Sequence, residues 1–398
     1  MPADEHYGPG PPGERVRAQK IEPGQRSPMR RLAARVAWPV LALIAVGLVA
    51  LTLVTKLSPP ARHTLVVASI PYWNMQHDTS VVLANRKDVN EVSPWIYGLS
   101  STGAVQPQYP ASLAGAVQAD MTSLRAAHMR LVPSIANITG GKWNYQAVSR
   151  VLHDPALARQ QIDSIVGLVQ HDKYAGIDID YEELHAGDRQ VFSQFVSQLA
   201  SALHAHGKVL SVAVFPQQHG PSSSAANTAQ DYAAIGKAAD QVRIMGYNYH
   251  WASSGPGATA PVSWVRSVVT YATSQMPAGK VVLGIPLYGY DWPDGKATAQ
   301  TVSWLQALRL SRQHAVPASY DKTSQAPHFS YAAGGKSHTV WFENAESSRA
   351  KFEVVQGTGI AGVYLWMYGY EDPSTWSALH TTLPVSGPGA SSTSKAVP

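Results

Sequence analysis

The chain has no cysteine among its 398 residues. That excludes disulfides, thiolate metal sites, a cysteine nucleophile and a lipid-modified N-terminal cysteine. Charged residues make up only 14% of it, below the quarter or so usual for a soluble chain. Phenylalanine is scarce, with 6 residues against 11 Trp and 18 Tyr. The aromatic complement is therefore amphipathic, which suits a flat apolar ligand with wet edges and equally suits ordinary core packing. The formal net charge is +5. Part of that excess sits in the N-terminal tail, and no basic–aromatic interleaving points to nucleic acid. A positive surface is compatible instead with an anionic cell wall.

Residues 1–35 are rich in Pro, Gly and Arg, lack an apolar period and read as a disordered tail. Arg26, Arg30, Arg31 and Arg35 crowd its end, and no charge follows between Val36 and Thr55. That run has roughly the 20 residues needed to cross a bilayer. Residues 36–57 are thus expected to form one transmembrane signal anchor. Arginine on its N-terminal side places the tail in the cytoplasm and the remainder outside, as a single-pass protein of the cell membrane. A cleaved signal peptide is the competing reading, but its basic region would be unusually long and no well-placed small-x-small site follows. Residues 58–62, with Pro59 and Pro60, read as a short stiff linker. Residues 384–398, largely Ser, Gly and Pro, read as a second disordered tail.

The pattern between those ends is different. Apolar, β-branched runs recur at 64–70, 92–99, 131–138, 176–181, 209–215, 241–247, 281–287 and 361–367. Most are separated by stretches of helical period, such as 158–171 and 189–206. Strands alternating with helices imply a parallel sheet. Eight of them across residues 63–383 predict a (β/α)8 TIM barrel of the α/β class. An open doubly wound sheet is the runner-up, without a Gly-rich first turn to support it. Residues 299–342 are surplus to the barrel. They hold a helix-like piece at 302–312 and strand-like pieces at 329–331 and 339–342, and predict a small α+β insertion between strand 7 and strand 8. Gly335-Lys336-Ser337 is read as the turn between those two short strands, since Ser330 stands where a phosphate loop needs Gly.

The run Gly176-Ile177-Asp178-Ile179-Asp180-Tyr181-Glu182 carries the chemistry. Side chains alternate along a strand, so Ile177, Ile179 and Tyr181 face the helices while Asp178, Asp180 and Glu182 face into the barrel. A barrel interior is normally a packed apolar core, and three acids there are costly unless paired or sharing protons. Like charges so close cannot all ionise, so at least one pKa must rise. A raised pKa supplies a protonated carboxyl at neutral pH, as a general acid requires. Glu182 is the outermost of the three, nearest the C-terminal mouth where barrel enzymes bind substrate. Glu183 faces the other way and is read as solvated. A solvated strand edge fits the flanking Ile residues poorly. A divalent-metal site lacks completing ligands in the sequence. Spacing alone leaves open whether Asp180 acts as a covalent nucleophile.

The same run resembles the signature of family-18 glycoside hydrolases, Asp-Gly-x-Asp-x-Asp-x-Glu. The match covers the Gly and the last three acids, and Ala175 replaces the first Asp. Met245-Gly-Tyr247-Asn248 resembles the family's sixth-strand Met-x-Tyr-Asp, with Asn248 replacing the Asp. The stretch from Leu283 to Trp292 resembles its seventh strand, and Gly362-Val-Tyr-Leu-Trp366 its eighth. Trp341-Phe-Glu-Asn and Gly369-Tyr-Glu-Asp-Pro373 resemble a subgroup of bacterial wall and spore-cortex hydrolases.

The resemblance implies a retaining, substrate-assisted hydrolysis of β-1,4-linked N-acetylglucosamine polymers, an exception to the two-carboxylate scheme. In it Glu182 is the proton donor, and Asp180 orients the sugar's acetamido group. Asp178 holds Asp180, Tyr247 donates to the acetamido carbonyl, and Trp366 floors the sugar site. Tyr72, Met245, Asn248, Tyr288 and Trp292 are further candidates for sugar contact. Trp73, Trp95 and Tyr97 either line the groove or pack the core, while Tyr249, His250, Trp251 and Tyr290 are better placed at the mouth.

Peptidoglycan is the first substrate expected and chitin the second. A monomer with no cofactor is expected. The competing classes are a catalytically silent glycan-binding protein, which the presence of Glu182 argues against, and a metal-dependent transferase. Asn137-Ile138-Thr139 also matches a glycosylation acceptor, a pattern short enough to arise by chance.

Overall fold

The computed structural model describes residues 64–219, 225–295 and 298–385. The expected tail 1–35, anchor 36–57 and linker 58–62, together with residues 386–398, lie outside the described residues. Among those described, no helix is long and apolar enough to cross a membrane.

Eight parallel strands form the centre: β1 (Leu65–Pro71), β2 (Glu91–Leu99), β3 (Ser134–Ala136), β4 (Gly176–Asp180), β5 (Val209–Val214), β6 (Gln241–Ile244), β7 (Val281–Pro286) and β8 (Gly362–Trp366). Each pairs with the next, and β1 pairs with both β2 and β8. The sheet therefore closes into a barrel and leaves no open edge, which removes the doubly wound alternative.

Local chemistry sets many of the helix boundaries. Pro155–His171 starts on Asp154, whose carboxylate accepts the amides of Ala156 and Leu157 at 2.8 and 3.2 Å. Pro155 occupies the first turn, where its missing N–H costs nothing. Ala345–Thr358 starts on Asn344 and ends at Gly359 in the left-handed region. The helices pack their apolar stripes on the outward face of the strands. Ile177 and Ile179 are fully buried there. Tyr181 lies against Phe195, with its hydroxyl donating to Gln161 at 2.8 Å. Gly176 is required at the start of β4, because a Cβ would collide with the Val209 carbonyl.

The barrel interior is divided. The side formed by β1, β6, β7 and β8 is filled by Val67, Met245, Tyr247, Val282 and Tyr364. The side formed by β2 to β6 is polar, with Glu91, Ser93, Ser134, Asp178, Gln241 and Arg243 all buried.

The insertion is larger than its sequence suggested. It is a five-stranded antiparallel sheet with the helix Trp304–Gln313, and its first strand is Tyr288–Pro293 rather than a piece after residue 299. The chain passes from Pro286 through Leu287 alone into the next strand at Tyr288, so hydrophobic periodicity carries little mark of the change. Gly334 and Gly335, both at positive φ, turn Ala326–Ala333 into Lys336–Trp341.

Candidate active site

The acids of β4 stand one above another inside the barrel. Asp178 Oδ2 accepts from the Ser134 hydroxyl at 2.8 Å and lies 3.4 Å from Arg243 Nη1. Arg243 is the counter-ion for this interior. Its Nη2 donates to Glu91 Oε1 at 2.7 Å, and its Nη1 to the Ser93 hydroxyl at 2.6 Å. Glu91 Oε2 accepts from Gln241 and from Arg130, each at 3.0 Å. A buried charge needs such pairing to be tolerated. Arg243 escaped sequence reading because it sits in an otherwise apolar run. The signal was available: three acids aimed into a barrel call for a cation.

Asp180 lies one pleat nearer the mouth. Its Oδ2 accepts from the Trp95 indole N–H at 3.0 Å, and its Oδ1 is buried with no protein partner. Burial is the chief cause that pushes its pKa up, to about 7. The Asp178 charge adds to the rise, while the Trp95 hydrogen bond and Arg243 oppose it.

Glu182 stands two residues past the end of β4 and is partly exposed at the mouth. Its pKa is held well above the ordinary value by burial, then by the charges of Asp180 and Glu183. Glu183 is exposed and adopts a positive φ of 55°, turning the chain away after the acid. The buried Asn137 side chain binds the Glu182 backbone on both sides. Its Oδ1 accepts the Glu182 amide at 2.8 Å, and its Nδ2 donates to the Glu182 carbonyl at 2.9 Å. Asn137 is 0% exposed, which removes it as a glycosylation acceptor and makes it part of the site.

Tyr247 projects toward the two upper acids and exchanges a 2.8 Å hydrogen bond with the Tyr364 hydroxyl. Both phenol pKa values are driven well up, with burial the first cause. Tyr364 is two residues before Trp366 on β8, so the period of two could have placed it on the same inward face.

Trp366 ends β8 and joins a group of indoles. Its ring centre lies 6.1 Å from that of Trp95 and 6.4 Å from that of Trp73. Trp143 is 6.5 Å from Trp95. Trp73 is the member that reaches this group from the end of β1. Tyr72 beside it packs on the barrel's outer core and on Tyr109 at 6.4 Å.

Met245 lies among the apolar interior residues beside Tyr247. Asn248 is exposed at a positive φ of 61°, a conformation that Asn accepts more readily than most residues. Its Oδ1 accepts from Tyr288 at 2.7 Å and from Tyr290 at 3.1 Å. Tyr288 and Trp292 are buried with Tyr290 at the foot of the insertion, against Trp366 and Trp341. Tyr249 and Trp251 are exposed beyond β6. Among the described residues, no group of three or more His, Asp or Glu side chains is arranged to hold a metal ion.

The chain resembles known proteins in sequence and in fold. The chain is 33% identical over 250 residues to the cortical fragment-lytic enzyme of Bacillus anthracis, covering 62% of this chain and 58% of that protein. It is 31% identical over 298 residues to the cortical fragment-lytic enzyme of Bacillus subtilis, covering 73% and 68%. The first of these relatives thus extends well beyond the part matched. Among solved structures, the Bacillus cereus spore cortex-lytic enzyme SleL superposes with a TM-score of 0.73 at 27% identity, over 82% of this chain and 76% of that one. A chitinase from Chromobacterium violaceum superposes with a TM-score of 0.73 at 29% identity, over 80% and 98%. The model of glycosyl hydrolases family 18 matches residues 63–371, and with the acid strand, its closed barrel and this match in agreement, the chain belongs to that family.

Proposed function

We propose that this barrel hydrolyses β-1,4 bonds that follow N-acetylglucosamine in peptidoglycan, by a retaining, substrate-assisted route. The observation that carries the reading is the pairing of Glu182 with Asp180. A carboxyl with a raised pKa stands at the mouth, and directly below it is a carboxylate oxygen with no protein partner. In the first step Glu182 gives its proton to the glycosidic oxygen. The acetamido carbonyl oxygen of the same sugar attacks the anomeric carbon, the glycosidic bond breaks, and an oxazolinium ion forms. Asp180 Oδ1 accepts the acetamido N–H and offsets the positive charge, and Tyr247 donates to the acetamido oxygen. Water then attacks the anomeric carbon from the vacated face and returns a proton to Glu182, so the configuration is retained. Asp178 holds Asp180 from below, and Trp366 stacks under the ring. The preorganised dipoles act where charge develops.

The peptidoglycan assignment is supported by relatives named for cortex lysis in two Bacillus species. It fits an enzyme held at the outer face of a membrane by residues 36–57. Chitin is the second reading, favoured by the likeness to the Chromobacterium violaceum chitinase. Release of reducing ends from purified wall and from colloidal chitin separates the two. Untouched wall with cleared chitin defeats the first choice. Sedimentation of the full chain with membranes, lost on deletion of residues 36–57, tests the anchor.

A further inference from the structure

Asp180 has two oxygens in different circumstances. Oδ2 is engaged by the Trp95 indole at 3.0 Å, while Oδ1 is buried and free. Trp95 reaches it from β2, where Glu91, Ser93 and Trp95 share the inward face at rising heights. The indole is wedged among Trp73, Trp143 and Trp366, with ring centres 5.6, 6.5 and 6.1 Å away. Those three come from the end of β1, the turn after β3 and the end of β8, so the ring is gripped from several sides. Phenylalanine is smaller but would stack as well. Among the aromatic side chains only Trp brings a donor that cannot accept.

We infer, on the reading given above, that Trp95 is a positioning residue for hydrolysis that acts through Asp180: its N–H fixes one oxygen and leaves the other for the sugar's acetamido N–H. The groups facing Asp180 are Asp178 below it, Glu182 above it, Arg243 and Tyr247 from β6, and Tyr364 from β8. Trp95 is the donor with a hydrogen bond to this carboxylate, so the ionised form depends on it. The same indole packs on Trp366, with ring centres 6.1 Å apart.

The test uses the full chain and two variants: Trp95→Phe, and Trp95 replaced by benzothienylalanine, which keeps the shape and substitutes sulfur for the N–H. The titration of Asp180 is followed by carbon-13 NMR in aspartate-labelled protein, with Asp180→Asn assigning the signal. The pH profile of kcat is recorded on a chito-oligosaccharide. Loss of one hydrogen bond to a charged group raises the Asp180 midpoint by about one pH unit. The acid limb of kcat follows it, with kcat down about fivefold at neutral pH and KM within twofold, because the stacking ring remains. The benzothienyl variant separates loss of the donor from any misfolding of Trp95→Phe. Glycan cleavage with an unmoved Asp180 titration in that variant overturns the inference alone. Wild-type protein that cleaves no glycan defeats the hydrolytic reading and overturns the inference with it.

Discussion

Asn137 holds Glu182 by the backbone rather than by the carboxyl, accepting its amide at 2.8 Å and donating to its carbonyl at 2.9 Å. The β4 ladder ends at Asp180, so Glu182 stands where the sheet no longer supplies partners. A buried amide side chain just past β3 continues the pairing for one more residue. Replacing it with Ala leaves two buried backbone groups unpaired, at about 1–3 kcal/mol each. Asn137→Ala is expected to lower kcat about 10–100-fold with little change in KM, as read from single-turnover cleavage of a chito-oligosaccharide.

Glu182→Gln keeps the shape of the acid and removes its proton. General acid catalysis contributes about 10²–10⁴-fold, and that loss is expected in kcat. Substrate binding persists, because the indoles around Trp366 are unaltered. Reducing-end release and quenching of tryptophan fluorescence by oligosaccharide measure the two halves of this prediction. Equal loss of both would assign Glu182 to binding.

Arg243 is 2% exposed and serves Glu91 and Asp178 together. Breaking a buried pair by removing one partner costs about 3–5 kcal/mol, because the remaining charge is stranded. Arg243→Met is expected to lose that much in urea unfolding. Adding Glu91→Gln restores part of it, since the orphaned charge then disappears. A non-interacting pair would instead give additive losses.

Away from the site, Asp78 is fully buried in the helix Met75–Ala84, and its pKa is pushed up to about 8. Burial is the main cause and the Glu371 charge the second, opposed by a hydrogen bond from Asn74. A folded pKa above the unfolded value means stability that is complete below about pH 4 and lost as the pH climbs toward 8. Asp78→Asn mimics the protonated form. It is expected to match wild type at pH 4 to within ~0.5 kcal/mol and to exceed it by a few kcal/mol at pH 8. Thermal melts at the two pH values check the sign.

Much of the barrel was legible because β-branched runs and helical stretches alternate along the chain. The facing of Asp178 and Asp180 followed from the two-residue period of β4. What stayed hidden depends on contacts between distant segments. Trp95 and Asp180 are 85 residues apart, and no local pattern distinguishes an indole that packs from one that donates. Asn137 carried a misleading surface motif while being wholly enclosed. The insertion was cut too short because Tyr288, Tyr290 and Trp292 read as an extension of β7. In fact they open a second sheet, in which Tyr290 faces Trp341 across antiparallel strands.

Inside the barrel the buried Arg243 meets the carboxylates of Glu91 and Asp178, the half-exposed Arg130 also meets Glu91, and among the described residues neither Asp180 nor Glu182 has an ion-pair partner. Burial and neighbouring carboxylates raise the pKa of both upper acids, so the uppermost holds hydrogen more firmly than an exposed carboxyl does. On the proposed reading, a glycan arriving at the rim meets an acid whose proton is held more firmly than usual, and burial with the Asp180 and Glu183 charges sets how firmly.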